Sequence, residues 1–444
     1  MPGDHSEALG VRRSLALLAR ASEAWERWSV RGSVAVEMAT THAVRWARTV
    51  EVSTSRKVAP GGPRTRGNAH LPGALFVVPW LRVGGADKAV IDLVRHLNGS
   101  AIDATVLATL GMRNGWAGGL RAAGVPVVVP QDLPPGSRAR RAAMDALVED
   151  RSIRLVQVSQ SRAGYGMLEH LRRVHGVRTV SLVQLPDPRA MERDFVALSA
   201  HHRASIDRHV AVAPHVAEAL VCRGVREEDI ECIPNGVDTE LFRPADPDAG
   251  IEPDGLLAGL PADQPVVAFV GRLVEQKDPI TFVQMVSRLR HRLGSGFSVV
   301  VVGGGPLRRL TEVMLRATGH PGLTRCTGPA SESEVASVLP KASVVVAPSR
   351  YEGLPLVGLE AMACGVPVVA SDVDGWRDLV AEGRTGFLCT PGDPDAFAER
   401  TATLLGDPGL RERMGTEARC VAEERFALGL VLAQYRRLYA DLLA

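Results

Sequence analysis

This 444-residue sequence predicts an α/β protein built as two doubly wound parallel sheets. Three observations carry that prediction. From Ala74 onward, short apolar runs alternate with amphipathic stretches, the order of strand–helix–strand units. The alternation pauses once, at 244–264, in a stretch rich in Pro, Asp, Gly and Ala, and then restarts. The runs themselves are almost purely apolar, as strands buried on both faces require.

Residues 1–72 stand apart as a basic N-terminal extension, with 11 Arg/Lys against 6 Asp/Glu. Trp25, Trp28, Val34, Val36 and Trp46 recur at mixed helical spacing and predict one or two amphipathic helices. Ala59-Pro60-Gly61-Gly62-Pro63 then reads as a linker. The extension is a loose tail, the product of a start codon placed too early, or a membrane-surface helix; Glu23, Glu26 and Glu37 count against the last.

The first α/β domain is expected over 73–243. Its strands are Leu75–Val78, Ala104–Leu107, Val125–Val129, Leu155–Val158, Val180–Val183 and Val210–Val212. Helices are expected at Asp87–Leu97, Arg138–Val148, Gly164–Val174 and Val216–Cys222. After the linker at 244–264, a second domain over 265–425 carries strands Val266–Val270, Ser298–Val302, Val344–Ala347 and Val368–Ala370. Its helices are Pro279–Arg292, Leu307–Thr318, Glu332–Leu339, Leu354–Ala363 and Pro394–Leu405, and a closing helix, Leu428–Leu443, lies within 426–444. Ligands of such sheets bind beyond the carboxyl ends of the strands, so two of them point to a central cleft.

Composition excludes several classes. With 45% hydrophobic and 23% charged residues the chain fills cores and is not a disordered segment. A net charge of +2 does not advertise a nucleic-acid binder. No apolar run approaches the ~18 residues of a spanning helix. The six cysteines form no Cys-x-x-Cys pair, and no cleavable leader pattern opens the chain. Free thiols in a reducing cytoplasm are therefore expected. The sequence offers no metal-ligand cluster. Arginine outnumbers lysine 48 to 4, a mark of GC-rich coding that singles out Lys57, Lys88, Lys277 and Lys341.

Three clusters carry chemistry. In the first, Gly84-Gly85-Ala86-Asp87-Lys88 follows a strand and opens a helix, where glycines and free amides admit an anion. By itself it reads first as a plain strand-to-helix turn. In the second, Arg272 and Lys277 flank the turn after Val270; such a pair grips a diphosphate, or else forms two solvated cations. The third runs from Ala347 to Pro367 and places Glu352 on a loop and Glu360, with seven residues between them, in a helix started by Pro355 and ended by Gly365. Eight steps along a helix span ~12 Å. That exceeds the ~5–9.5 Å of a glycosidase carboxyl pair but suits the two ends of one elongated ligand.

Together these pieces resemble the family-4 retaining glycosyltransferases of the GT-B fold. The likeness rests on Ile233-Pro234-Asn235-Gly236-Val237-Asp238, Gly271-Arg272 with Lys277, Val302-Gly303-Gly304-Gly305-Pro306, Gly328, and Glu352 through Glu360 to Ser371, in that order over about 230–390. Gly84-Gly85-Ala86 extends it into the first half, as the acceptor domain. The resemblance implies two Rossmann-like domains facing a cleft, and transfer of a hexose or amino-hexose from a nucleotide diphosphate, most commonly uridine-linked, to an acceptor hydroxyl. The acceptor, a small molecule or a glycan, stays open. It also implies roles. Arg272, Lys277 and Glu352 would serve the reacting diphosphate and sugar, with no bound metal. Gly84, Gly85, Gly304, Gly305, Gly353, Leu354 and Glu360 would line the donor, Glu360 at the ribose hydroxyls. Where relatives often carry a His after an acceptor-domain strand, this chain has Gln184, which can bond a sugar hydroxyl but cannot relay a proton at neutral pH. His170, His175, His201 and His202 lie nearby in sequence and read as ordinary surface histidines. A GT-B epimerase or hydrolase, and a sugar-nucleotide-binding protein without turnover, are the alternative readings.

Overall fold

The computed structural model describes residues 71–81, 85–111, 115–132, 137–185, 194–245 and 255–444. The helices and linker expected within 1–70 lie outside the described residues.

The first sheet contains β1 (Gly73–Val78), β2 (Asp103–Ala108), β3 (Val127–Val128), β4 (Ile153–Ser159), β5 (Arg178–Val183), β6 (Arg208–Ala211) and β7 (Ile230–Cys232), in the order β3-β2-β1-β4-β5-β6-β7. Its helices are α1 (Gly85–Leu97), α2 (Ala117–Ala122), α3 (Ser137–Asp150), α4 (Arg162–His175), α5 (Phe195–His201) and α6 (Pro214–Val221). The second sheet contains β8 (Val266–Val270), β9 (Ser298–Val302), β10 (Thr324–Gly328), β11 (Val344–Ala347), β12 (Val368–Ser371) and β13 (Gly386–Cys389), in the order β10-β9-β8-β11-β12-β13. Around it lie α7 (Pro279–Leu293), α8 (Arg308–Ala317), α9 (Glu332–Val338), α10 (Leu356–Ala363), α11 (Asp374–Arg377), α12 (Pro394–Gly406) and α13 (Pro408–Phe426), followed by α14 (Leu428–Leu443). Every described pairing is parallel.

The central strands are valine runs buried on both faces, such as β9 with Val299 to Val302 at 2% exposure or less. Alternation sorts β1 between two cores: Ala74, Phe76 and Val78 join one cluster, Leu75 and Val77 the other. Three helices of the second domain start alike. Asp278, Asp393 and Asp407 cap α7, α12 and α13 by accepting backbone N–H bonds, and a proline follows each. The cap satisfies free amides that the proline, lacking an N–H, does not add to.

The closing helix crosses back to the first sheet. Tyr439 donates to Gln157 Oε1 on β4 at 2.6 Å and meets Phe76 edge-on at 6.4 Å between centroids. The chain passes between the domains twice, and the two passages run side by side: Val237 N donates to Phe426 O and Leu428 N to Val237 O, both at 2.8 Å. Several expected boundaries shift. The helix anticipated at Leu354 begins at Leu356, with Pro355 just before its first turn, and Val125–Val129 shrinks to the edge strand Val127–Val128.

Candidate active site

The chemistry-bearing loops lie at the carboxyl ends of their strands, where a doubly wound sheet exposes backbone that no neighbour pairs. On the second domain these are 271–278 after β8, 303–306 after β9 and 348–355 after β11. The first and last are laced together. Arg350 N donates to Gln276 O at 2.8 Å, and Gln276 Nε2 to Tyr351 O at 3.2 Å. The Arg350 guanidinium bridges Glu275 at 3.0 Å and Asp278 at 3.1 Å. Lys277 is ion-paired with the buried Glu352. Arg272 is exposed and donates to Gln276 Oε1 at 3.1 Å. The two cations and the first carboxylate of the sequence pattern thus share one surface.

Backbone crossings account for the glycines here. A Cβ on Gly303 would lie 1.9 Å from Gly271 O, and one on Gly305 2.4 Å from Leu273 O, while Gly304 sits against Pro329. Gly353 comes so close to the Gln184 carbonyl that a Cβ would stand 1.7 Å from it. Gly353 and Gln184, predicted separately, therefore meet across the domains. Leu354 is buried, and its carbonyl accepts from Asn235 Nδ2 at 2.9 Å, a second contact between the halves.

Glu360 lies on α10, buried, below this surface. Its carboxyl is pushed up to about 7, chiefly by burial; Lys88 and Lys277 oppose the shift, while Glu332 and Asp92 add to it. Lys88 projects from α1 and pairs with Asp92 at 2.7 Å and with Glu332 of the opposite domain at 2.8 Å. Burial disfavours the Lys88 charge, but Asp92, Glu360 and Glu332 outweigh it and hold the ammonium above its ordinary value. Gly85, at the N-terminus of α1, has the Leu356 side chain 3.7 Å from where its Cβ would be. His215 Nδ1 and Asp378 Oδ2, 2.5 Å apart, form another link between the domains.

Gly84 lies outside the described residues. Gln184 is buried, as is Gln157 one strand earlier, whose side chain is used to hold α14. His201 meets His202 edge-on, and His202 stacks on Tyr165. The sequence reading missed Lys88, Asp92, Asn235 and Glu332 as site residues. Lysine scarcity had marked Lys88, Asn235 stood inside the Ile233–Asp238 motif, and Asp92 lies four residues beyond Lys88 on an expected helix; Glu332 carries no local signal, since only the fold brings it to Lys88.

Two doubly wound halves, with their glycine-rich loops at the strand ends, define the GT-B class. Comparison with known proteins agrees. The model "Glycosyltransferase Family 4" matches residues 83–241, and "Glycosyl transferases group 1" matches residues 258–421. The chain belongs to this glycosyltransferase family. It is 36% identical over 225 residues to a D-inositol 3-phosphate glycosyltransferase of Corynebacterium glutamicum (strain R), covering 48% of this chain and 52% of that one. It is 33% identical over 180 residues to an alpha-D-kanosaminyltransferase of Streptomyces kanamyceticus, covering 40% and 46%. The chain thus spans about half the length of these curated relatives. Among solved structures, Anabaena HepE in complex with UDP and glucose superposes with a TM-score of 0.71 at 20% identity, over 83% of this chain and 99% of that one. Sucrose-phosphate synthase from Thermosynechococcus elongatus does so with 0.67 at 22% identity, over 83% and 99%. At these identities the likeness is one of fold. No described helix is long and apolar enough to cross a membrane.

Proposed function

We propose that the chain is a retaining glycosyltransferase that moves a hexose or amino-hexose from a uridine diphosphate sugar to the hydroxyl of a small polyol or glycan in the cytoplasm. The observation that carries this is the grouping of Arg272, Lys277 and Glu352 on one surface at the strand ends, with the buried Glu360 carboxyl near enough to Lys277 to feel its charge. The uridine donor is supported by HepE, whose structure holds UDP and glucose, and the polyol acceptor by relatives named for D-inositol 3-phosphate. Breaking the bond between the anomeric carbon and the diphosphate leaves negative charge on the departing phosphate. Arg272 and Lys277 are placed to stabilise it, so no bound metal is required. The acceptor oxygen attacks from the face the phosphate leaves, and its proton passes to a phosphate oxygen. Glu352 holds Lys277 in place until the diphosphate arrives, and Glu360 accepts from the ribose hydroxyls.

Thermal unfolding with UDP, GDP, ADP and dTDP, each with and without EDTA, tests the reading. Binding at 100 times Kd adds about 2.7 kcal/mol. A rise with UDP that EDTA leaves intact is expected, and Arg272→Ala and Glu360→Ala should each weaken it. An EDTA-sensitive rise would overturn the metal-free assignment. Unchanged affinity in both variants would remove the site. The second reading, binding without transfer, draws on Gln184 standing where relatives carry His. Product analysis separates the two: a transferase releases UDP only as the acceptor is consumed.

A further inference from the structure

Two histidines that sequence alone leaves as surface residues converge on one oxygen. His170 Nε2 and His175 Nε2, both on α4, each lie 2.8 Å from Asp145 Oδ1 on α3. The three ligand atoms lie within 4.8 Å of one another. The rings stand nearly perpendicular, at 80°, so the shared focus does not come from stacking. His175 is largely buried, while His170 and Asp145 are partly open to solvent, at 21% and 28% side-chain exposure.

We propose that Asp145, His170 and His175 form a binding site for a borderline divalent transition metal of the zinc type, clamping α3 to α4. Two imidazole nitrogens and one carboxylate oxygen match the ligand preference of Zn2+, while Mg2+ and Ca2+ favour all-oxygen sets. An ion bound at ~2.1 Å holds tetrahedral ligand atoms roughly 3.3 Å apart. The observed spacings need only small side-chain rotations, which the partly open His170 permits. Three protein ligands leave a fourth position for water. The site is remote from transfer: α4 leaves the cleft end of β4, and at ~1.5 Å per residue His170 lies roughly 12 Å and His175 roughly 20 Å down the helix. Its effect is on the acceptor domain's stability, not on the diphosphate.

The full-length protein, stripped with EDTA, is titrated with CoCl2 under visible absorption and with ZnCl2 under thermal unfolding. One equivalent is expected, with the spectrum of nitrogen and oxygen ligands and a rise in Tm on the order of 5 °C at saturation. MgCl2 should give no rise. His170→Ala and Asp145→Asn should keep the far-ultraviolet circular dichroism of the wild type and lose the response. His175→Ala should lose it too. Absence of binding, an equal response to MgCl2, a thiolate-to-cobalt absorption band or a response that survives His170→Ala would each overturn the proposal.

Discussion

Glu360 is a carboxyl that the fold keeps dry and sets near two other acids. With its pKa at about 7 it is about one-tenth ionised at pH 6 and mostly ionised at pH 8. In the proposed binding mode ribose hydroxyls donate to the ionised form, so binding favours proton release and affinity should rise with pH through 7. Affinity for an intact uridine diphosphate sugar, whose own charge is constant over this range, should be roughly tenfold weaker at pH 6 than at the plateau. Isothermal titration at both values checks this, and a flat wild-type profile would falsify the ribose role. Glu360→Gln should flatten the profile near the weak limit. At Gly353 a methyl group would collide with the Gln184 carbonyl. Gly353→Ala should therefore lower kcat and, because Gly353 also stands among the expected donor-lining positions, weaken UDP binding; stopped-assay kinetics beside UDP titration measure both.

The loops that carry this chemistry hold their shape by backbone laid against backbone. Gly303 has φ of +140° and its Cβ would stand 1.9 Å from Gly271 O. Gly303→Ala should cost about 3 kcal/mol or more through strain and displacement, read by urea unfolding. Arg272, Lys277, Glu352 and Glu360 were legible in the sequence because each sits in a short pattern tied to a strand end. Lys88 and Glu332 were not legible as a pair, since their contact depends on how two separately folded halves face each other. Among the elements, the valine runs announced the central strands. The edge strands β7 and β10 are half-exposed and carry too few apolar residues to stand out. Helix α13 was missed despite its Asp-Pro start. Its buried face includes the small residues Gly415, Ala418 and Ala422, so it lacks an aliphatic stripe. Close approach explains the choice: a Cβ on Gly415 would lie 2.0 Å from Gly365 O.

The halves touch through polar contacts such as Lys88–Glu332 and His215–Asp378, yet α14 is sealed onto the first sheet by Tyr435, Leu438 and Tyr439, each at 4% exposure or less. Tyr439→Phe leaves Gln157 Oε1 without its donor in the core and should cost about 1–2 kcal/mol, measured by denaturant midpoint at constant m-value. The paired passages at Val237 and Leu428 also say how such chains can be recombined. The second domain enters and leaves the first through one doorway, so it is an insert rather than a half. A graft that replaces 238–427 with the same stretch of a relative keeps α14 with the sheet it evolved against. A graft with a single junction near 250 splits that partnership and pits one parent's Tyr439 against another parent's β4. Trading nucleotide preferences between members of this family is therefore an operation with two cuts, made a hydrogen bond apart.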